Sequence, residues 1–297
     1  MENKNEKIKC WACLSNKIGF FTGKEGFNIY RCHNCELLFL WPVPDSRSIY
    51  NQDYFMGADM GYGFIDYDED KKAMIPTFNK YLDLIEKATG RKGRLLDVGA
   101  ATGFFMQLAE KRGWRTSGVE ISEYAAKIGQ GRGLDIKNGI LEDAEFSVDT
   151  FDVITMWDVV EHFTDPALTL KKARKLLAPG GVLAINTPDG GSLWAGLMKS
   201  WWHALIPPEH INIFNKKSLE LILSQNGFRL IIIAKIGKSF SLPYVLKITH
   251  KWLGIKLIDK FADICDTEFL RRFSIPINLR DNIFIIATPV HNESKKS

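Results

Sequence analysis

Two acidic residues, Asp97 and Glu120, end two predicted strands on either side of a turn built from small residues. The pattern predicts a buried strand over Arg94–Val98, a tight turn over Gly99–Gly103 and a helix over Phe104–Arg112. Small residues allow a ligand to approach the bare backbone, and the free N–H groups at a helix start favour an anion or a carboxylate. The carboxylate of Glu120 can accept both hydroxyls of a ribose. The arrangement therefore predicts a site for a nucleoside cofactor.

The turn matches neither of two common nucleotide-binding motifs. A dinucleotide site would have G-x-G-x-x-G, but when the motif is aligned on Gly99 its other glycine positions hold Ala101 and Phe104. A P-loop would place Lys and then Ser or Thr after its last glycine, whereas two phenylalanines follow Gly103. Both motifs fail, so the cofactor is expected to be of another kind.

The pattern acidic–x–Gly–x–x–x–Gly, with a second acid at the next strand end, resembles class I S-adenosylmethionine (SAM) methyltransferases. Four later segments resemble the same family in the same order, and one of them is similar to its "LEHxxDP" motif. They are Phe151–Asp158, Val159–Pro166, Leu177–Leu183 and Ser218–Phe228. The resemblance implies a Rossmann-like α/β fold, with a seven-stranded, mostly parallel sheet whose last strand is inserted antiparallel. Its last two strands would be Phe228–Ile236 and Asn282–Thr288.

The resemblance also implies which residues bind the cofactor. Asp97 would help to hold the methionine ammonium, the glycine turn would pass under the methionine and ribose, and Glu120 would bind the ribose. Ala101 stands where many members have Gly, and an acid that many relatives place near Ile140 to hold the adenine is missing, so backbone groups are expected there. The expected cofactor-binding residues are Asp97, Gly99, Ala100, Gly103, Glu120, Ile121, Ile140, Leu141, Met156 and Trp157.

Four cysteines near the start of the chain form two C-x-x-C pairs, Cys10 with Cys13 and Cys32 with Cys35, with 18 residues between the pairs. This spacing is typical of a zinc ribbon, in which two turns complete a tetrahedral set of four thiolates. Disulfides are the alternative in an oxidising compartment. We predict a structural Zn²⁺ and a short hairpin within Lys17–Arg31. The ribbon would either brace the substrate side or contact nucleic acid.

These patterns divide the chain into three parts: a zinc-ribbon module over 1–45, a tyrosine-rich linker and helix over 46–90, and a SAM-dependent methyltransferase domain over 91–297. The helix is expected over Ala73–Ala88. The tyrosines within Ser46–Tyr67 would either line an acceptor or pack the linker against the main domain.

His210 is the strongest candidate for a general base, because it follows the predicted fifth strand, where this fold builds its acceptor pocket. Its surroundings resemble the "HEHxxYFS" motif of sugar C-methyltransferases, whose histidine acts as base, and Phe214 matches the aromatic residue. Pro207 stands where that family has Tyr, which argues against methylation of carbon. The alternative is that His210 only holds its loop by hydrogen bonds.

A second divalent cation is a further hypothesis. Asp158 and Glu161, at i and i+3 with His162 beside them, would share one face of a helical turn. Together with His210 further along the chain, they resemble the E-x-x-E-H plus distant His metal site of some ubiquinone-pathway and small-RNA 2′-O-methyltransferases, with Asp in place of the first Glu. A cation held there would lower the pKa of an acceptor hydroxyl. Alternatively, Glu161 and His162 only order the start of a helix.

Two segments bear on the acceptor and its setting. Gly190–Pro208 contains three tryptophans and would form a lid over the site. Leu242–Ile264 has an apolar set with lysines between, which is typical of a helix packed on the protein body or of one lying on a membrane surface. No signal peptide or membrane span is visible, so we expect a cytoplasmic protein. If the helix lies on a membrane surface, it would hold the protein at the inner face of the membrane.

Composition agrees with an ordinary globular enzyme, since the 297 residues are 45% hydrophobic and 25% charged. A net charge of +4 makes nucleic acid an unlikely partner. We predict a SAM-dependent methyltransferase (transferase class) that acts on a sugar or glycan intermediate or a similar small molecule, with His210 as base. The alternatives are O-methylation of a quinone precursor or phenol, and an RNA methyltransferase or a non-catalytic SAM- or RNA-binding module. The oligomeric state is not predicted.

Overall fold

A computed structural model describes residues 8–44, 67–243, 245, 246, 249, 267 and 274–290. Of the segments discussed above, residues 46–66 and most of the basic segment 242–264 lie outside these residues. Among the helices described, none has the length and hydropathy that a membrane span requires.

A small antiparallel sheet forms the N-terminal part of the described chain. Its first three strands are β1 (Ile18–Lys24), β2 (Phe27–Cys32) and β3 (Leu38–Leu40). The predicted hairpin is therefore present as β1 and β2, joined by the turn at Glu25 and Gly26, both of which have positive φ. The fourth strand is not N-terminal: it is β9 (Asn212–Ile213), which pairs with β3 through Leu38 and Ile213.

The large sheet has seven strands in the spatial order β10-β13-β8-β7-β4-β5-β6. In chain order its members are β4 (Arg94–Val98), β5 (Arg115–Glu120), β6 (Ile136–Asn138), β7 (Phe151–Trp157), β8 (Leu177–Pro188), β10 (Phe228–Ala234) and β13 (Asn282–Pro289). All neighbours are parallel except β13, which runs antiparallel to both β8 and β10. The predicted fold class is confirmed.

Helices cover both faces of this sheet, which explains why its central strands are almost continuously apolar. The helices are α1 (Tyr67–Lys72), α2 (Ile75–Thr89), α3 (Phe104–Lys111), α4 (Glu123–Gly131), α5 (Pro166–Leu176), α6 (Leu193–Met198) and α7 (Lys216–Gln225). Short side chains cap several of them: Ser122 accepts from the Ala125 amide, Asp165 from Leu168 and Asn215 from Ser218.

A two-stranded sheet, β11 (Lys238–Ser241) with β12 (Ser274–Ile277), lies between β10 and β13 in the chain. The predicted lid contains α6 and a 3₁₀ turn at Lys199–Trp201, and its tryptophans differ in exposure. Trp202 is buried, whereas Trp201 is 77% exposed. The inner side of the lid packs on β2 and β3 of the small sheet.

Candidate active site

A cavity of about 710 Å³ opens at the carboxyl ends of β4, β5 and β7. This is the edge of a doubly wound sheet where ligands bind as a rule. Its walls come from the turn after β4, the end of β5, the loop after β6, the end of β7 and the lid. The β11–β12 sheet adds Lys238, Phe240 and Ile277.

Glu120 lies in the cavity wall at the end of β5 and is only 5% exposed. Its Oε2 accepts a hydrogen bond from the Ala101 amide (2.8 Å), and its Oε1 accepts one from the Ser122 amide (2.8 Å). Burial raises the pKa of this carboxyl, while the amide donors lower it. Each oxygen has a second lone pair, so the carboxylate is held in place and can still accept from a ligand hydroxyl. Ala101 has a φ of 49°, a left-handed conformation that glycine adopts more easily.

Asp97 is 2% exposed and does not line the cavity. Its Oδ1 accepts a hydrogen bond from the Thr155 hydroxyl at 2.6 Å. Burial raises its pKa to about 8; the Thr155 bond opposes this rise and the charge of Glu120 adds to it. The carboxyl is therefore mostly neutral near pH 7 in the protein without cofactor.

The cavity wall contains six of the ten residues expected to bind cofactor: Gly99, Glu120, Ile121, Ile140, Leu141 and Trp157. The other four, Asp97, Ala100, Gly103 and Met156, are behind the wall. Gly103 caps the start of α3 with a φ of 80°, and a Cβ there would lie 2.1 Å from Leu134 Cδ1, so backbone conformation and packing favour glycine without any cofactor. Met156 is fully buried in the core. Cofactor contact by all ten residues stays a prediction.

The four cysteines converge on one point, with Sγ atoms within 4.8 Å of one another. The Cys10–Cys35 sulfur distance is 3.5 Å and the Cys13–Cys32 distance is 3.4 Å. A tetrahedral zinc with bonds of about 2.3 Å has sulfur–sulfur edges of about 3.8 Å, so the set fits the ion with a small expansion. No disulfide joins the described cysteines.

Three of the four residues of the expected cation set meet in the cavity: Glu161, His162 and His210 have ligand atoms within 4.8 Å of one another. Nδ1 of His162 lies 2.7 Å from the Glu209 carbonyl oxygen, and Nδ1 of His210 lies 2.6 Å from that of Ala204. Because a carbonyl oxygen only accepts, both Nδ1 atoms carry the proton and donate. Nε2 is then the nitrogen of His210 that can accept a proton or bind a metal.

Burial controls the electrostatics of this cluster. It raises the pKa of Glu161 to about 8, assisted by the charge of Asp158. It lowers the pKa of His162, and it lowers that of His210 well below its usual value, with His162 as the second cause. Glu161 Oε2 accepts from the Thr187 hydroxyl at 2.9 Å, whereas Oε1 has no hydrogen-bond partner among the described residues. A buried oxygen without a donor suits a cation or an acceptor hydroxyl.

Asp158 does not share a helical face with Glu161, so that expectation is wrong. It has a φ of 53° and precedes the 3₁₀ turn Val160–His162. Its carboxylate instead accepts from the Asn186 amide and pairs with the Lys238 ammonium, each at 2.7 Å.

Sequence reasoning missed Lys238 as a cavity residue, together with Asp281, which lies 3.5 Å from His203 Nε2. Both come from the segment between β10 and β13. No motif identified that segment as part of the site.

Comparison with known proteins identifies the family. A family model described as methyltransferase domain matches residues 71–232, which is more than half of the 297 residues. The chain belongs to this methyltransferase family. The resemblance to class I SAM-dependent methyltransferases is thereby confirmed.

Curated relatives share part of their length with this chain. It is 29% identical over 125 residues to a ubiquinone biosynthesis O-methyltransferase of Idiomarina loihiensis, covering 40% of this chain and 49% of that protein. It is 25% identical over 161 residues to the Hahella chejuensis protein of the same name, covering 52% and 65%. The chain thus spans about half to two thirds of the relatives it matches.

Solved structures show the same fold. A Bacillus halodurans protein aligns with a TM-score of 0.52 at 17% identity, over 73% of this chain and all of that one. A Pyrococcus horikoshii protein aligns with a TM-score of 0.50 at 17% identity, over 80% and 95%. At this identity the likeness concerns the fold alone.

Proposed function

We propose that this chain transfers a methyl group from SAM to a hydroxyl oxygen of a small aromatic acceptor. The observation that carries the proposal is the carboxylate of Glu120, fixed by two backbone amides in the wall of a cavity at the carboxyl ends of β4 and β5. SAM, when bound, supplies a methyl group on a sulfonium that is already a good leaving group. Glu120 would bind the ribose, and backbone at Ile140 and Leu141 would lie against the adenine.

The acceptor proposed here is the quinone-precursor or phenol alternative rather than the sugar that the motif around His210 suggested. Two observations support this choice. The curated relatives reported above are named as ubiquinone biosynthesis O-methyltransferases. The cavity is also bordered by Phe163, Phe240 and Leu279, whose apolar side chains suit an aromatic ring better than a sugar.

His210 would serve the acceptor in one of two ways. Without a cation, its Nε2 would take the proton from the acceptor hydroxyl as the methyl group is transferred. With a divalent cation, Glu161, His162 and His210 would hold the ion, and an acceptor hydroxyl beside it would ionise more easily. The Glu161 Oε1 that lacks a donor supports the second arrangement. Cys10, Cys13, Cys32 and Cys35 would hold a separate, structural Zn²⁺.

The test is transfer of labelled methyl from SAM to a catechol probe and to small-molecule lysate fractions. We expect turnover by the wild type, and loss of turnover with near-normal SAM affinity in His210→Gln. Lys216→Gln, an exposed residue at the start of α7, is the control. Absence of transfer to every fraction, with SAM bound, would contradict the enzyme proposal.

Removal of weakly bound cations then distinguishes the two arrangements. A mild chelator should leave the cysteine-bound zinc in place, which metal analysis can verify. Full activity after this treatment would exclude the cation, and recovery on adding Mg²⁺ or Mn²⁺ would support it.

A further inference from the structure

The buried amide of Asn212 joins the cysteine module to both histidine segments. Trp11 lies between Cys10 and Cys13, and its indole N–H donates a hydrogen bond to Asn212 Oδ1 at 2.9 Å. Asn212 Nδ2 donates in turn to the Phe163 carbonyl oxygen at 2.8 Å. Asn212 is 1% exposed. Phe163 directly follows His162 in the chain.

We propose that Asn212 is a positioning residue through which the cysteine module sets the geometry of His162 and His210. The proposal rests on the proposed function only for the role of these histidines, because the coupling itself is structural. An amide side chain is the group that fits here: its oxygen accepts from Trp11 while its nitrogen donates to Phe163. Aspartate could make only the first of these bonds, and leucine neither.

Backbone contacts extend the same connection to His210. The Leu40 amide donates to the Ile211 carbonyl oxygen at 3.0 Å, and Leu38 pairs with Ile213 in the small sheet. The strand β9, which begins two residues after His210, thus completes the small sheet of the cysteine module. Two residues form β9, too few to stay ordered without a partner strand.

The loop that precedes this strand orients both imidazoles. Its Glu209 carbonyl accepts from His162, and its Ala204 carbonyl accepts from His210. The two rings meet edge to face, with centroids 4.7 Å apart. A shift of β9 would therefore move the acceptors of both histidine N–H groups at once.

The second cysteine turn reaches the same region. Asn215 Nδ2 donates to the Cys35 carbonyl oxygen at 3.4 Å, and Trp11 packs edge-on against Phe214, with ring centroids 6.2 Å apart. Both C-x-x-C turns thus contact residues 212–215. Metal in the cysteine site would hold these two turns together. The metal-loaded module would thereby fix residues 212–215 and, through them, the orientation of His162 and His210, although none of its four cysteines lines the cavity.

The test removes one hydrogen bond and keeps the packing. Trp11→Phe retains a ring against Phe214 but has no N–H for Asn212. Trp41→Phe is the matched control, because Trp41 belongs to the same module, is partly buried, and makes no hydrogen bond to Asn212 among the described residues. Histidine ring signals from ¹³C-labelled protein, assigned with His162→Gln and His210→Gln, report the geometry without requiring turnover.

We expect Trp11→Phe to bind the same amount of zinc as the wild type, while the ring signals of both His162 and His210 shift. Trp41→Phe should shift neither. Where methyl transfer is measurable, kcat should fall about tenfold in Trp11→Phe with KM for SAM unchanged, since small displacements of a catalytic group are costly.

Unchanged histidine signals in Trp11→Phe would overturn the coupling, whatever the activity. Asn212→Asp supplies a second variant, which keeps the bond from Trp11 and loses the one to Phe163; it should shift the His162 signal. Shifted signals in a protein that transfers no methyl group would support the coupling and contradict the proposed function, so the two failures are distinguishable.

Discussion

We predict that Asp97 makes the binding of SAM depend on pH. Its carboxyl is buried and its pKa is raised to about 8 in the protein without cofactor. The family resemblance places the methionine ammonium beside this residue, and a neighbouring positive charge favours the carboxylate. We therefore predict that SAM binding releases a proton from Asp97.

The magnitude follows from the pKa. Because pH 7 is one unit below a pKa of about 8, about 0.9 of the carboxyl is protonated before binding, and about 0.9 proton should be released per SAM bound. SAM affinity should then rise up to about tenfold per pH unit below pH 8 and level off above it.

The assay is titration calorimetry in buffers of different ionisation enthalpy, which counts the protons released. Asp97→Asn, a neutral residue of the same shape, should release none and lose the pH dependence. Thr155→Val removes the hydroxyl that lowers the Asp97 pKa, so it should move the plateau to higher pH. Binding by the wild type with no proton released and with constant affinity from pH 6 to 9 would refute the reasoning.

The Asp97 carboxyl should also make the free energy of unfolding depend on pH, but in the opposite direction from SAM affinity. Its folded pKa is above its unfolded value of about 4, so between these values the folded protein binds more protons than the unfolded one. Its contribution to the free energy of unfolding should accordingly decline from about pH 4 to pH 8, by at most about 1.4 kcal/mol per unit. Urea unfolding of wild type and Asp97→Asn, without SAM, should differ in this slope.

Three further predictions concern the framework of the site. Gly99→Ala should lower the free energy of unfolding by about 1–3 kcal/mol, because the φ of Gly99 is 75° and the new Cβ would lie 2.7 Å from Val159 Cγ2. Gly131→Ala is the control and should leave the free energy of unfolding unchanged, since nothing lies within 4 Å of its new Cβ. Equal urea midpoints for the two variants would contradict this prediction. Purified protein should contain one zinc per chain, and a strong chelator should lower its Tm; zinc-free protein with an unchanged Tm would exclude a structural ion. Lys238→Met should destabilise the fold by about 1–3 kcal/mol, because it leaves the Asp158 carboxylate without its ammonium partner. Adding Asp158→Asn to this variant should recover part of the lost stability. Additive effects of the two substitutions in this double-mutant cycle would argue against the ion pair.

Most strands of the large sheet were predictable, β4 and β5 from their local patterns and β7, β8, β10 and β13 from the family resemblance. The central strands are short apolar runs that end in an acid or a turn, and the segment Ser218–Phe228, which resembles the family, leads into β10. The antiparallel insertion of β13 came from the family resemblance, since its apolar run alone does not fix direction. Glu120 was predictable together with β5, because it is the acidic residue at which that strand ends.

Contacts between distant segments were not predictable. The two residues of β9 have no periodicity, so nothing in the sequence indicates that they complete the small sheet. The boundary predicted at residue 45 therefore divides elements that share hydrogen bonds. Lys238 carries no motif either, and its pairing with Asp158 depends on where β11 lies relative to the residue that follows β7. Asp158 was misplaced because a left-handed residue breaks the helical spacing on which the expectation depended.

Glu120 offers the most direct test of the proposed cofactor site. Equilibrium binding of S-adenosylhomocysteine, which keeps the ribose and the amino acid group of SAM, would be compared in wild type, Glu120→Gln and Glu123→Gln. Glu123 is an exposed control whose ion pair among the described residues is with Lys127 on α4. We predict saturable binding by the wild type and the control, and a Kd at least about tenfold weaker in Glu120→Gln, as expected for loss of a charged hydrogen-bond acceptor. No binding by the folded wild type, or equal Kd values in all three proteins, would contradict the account.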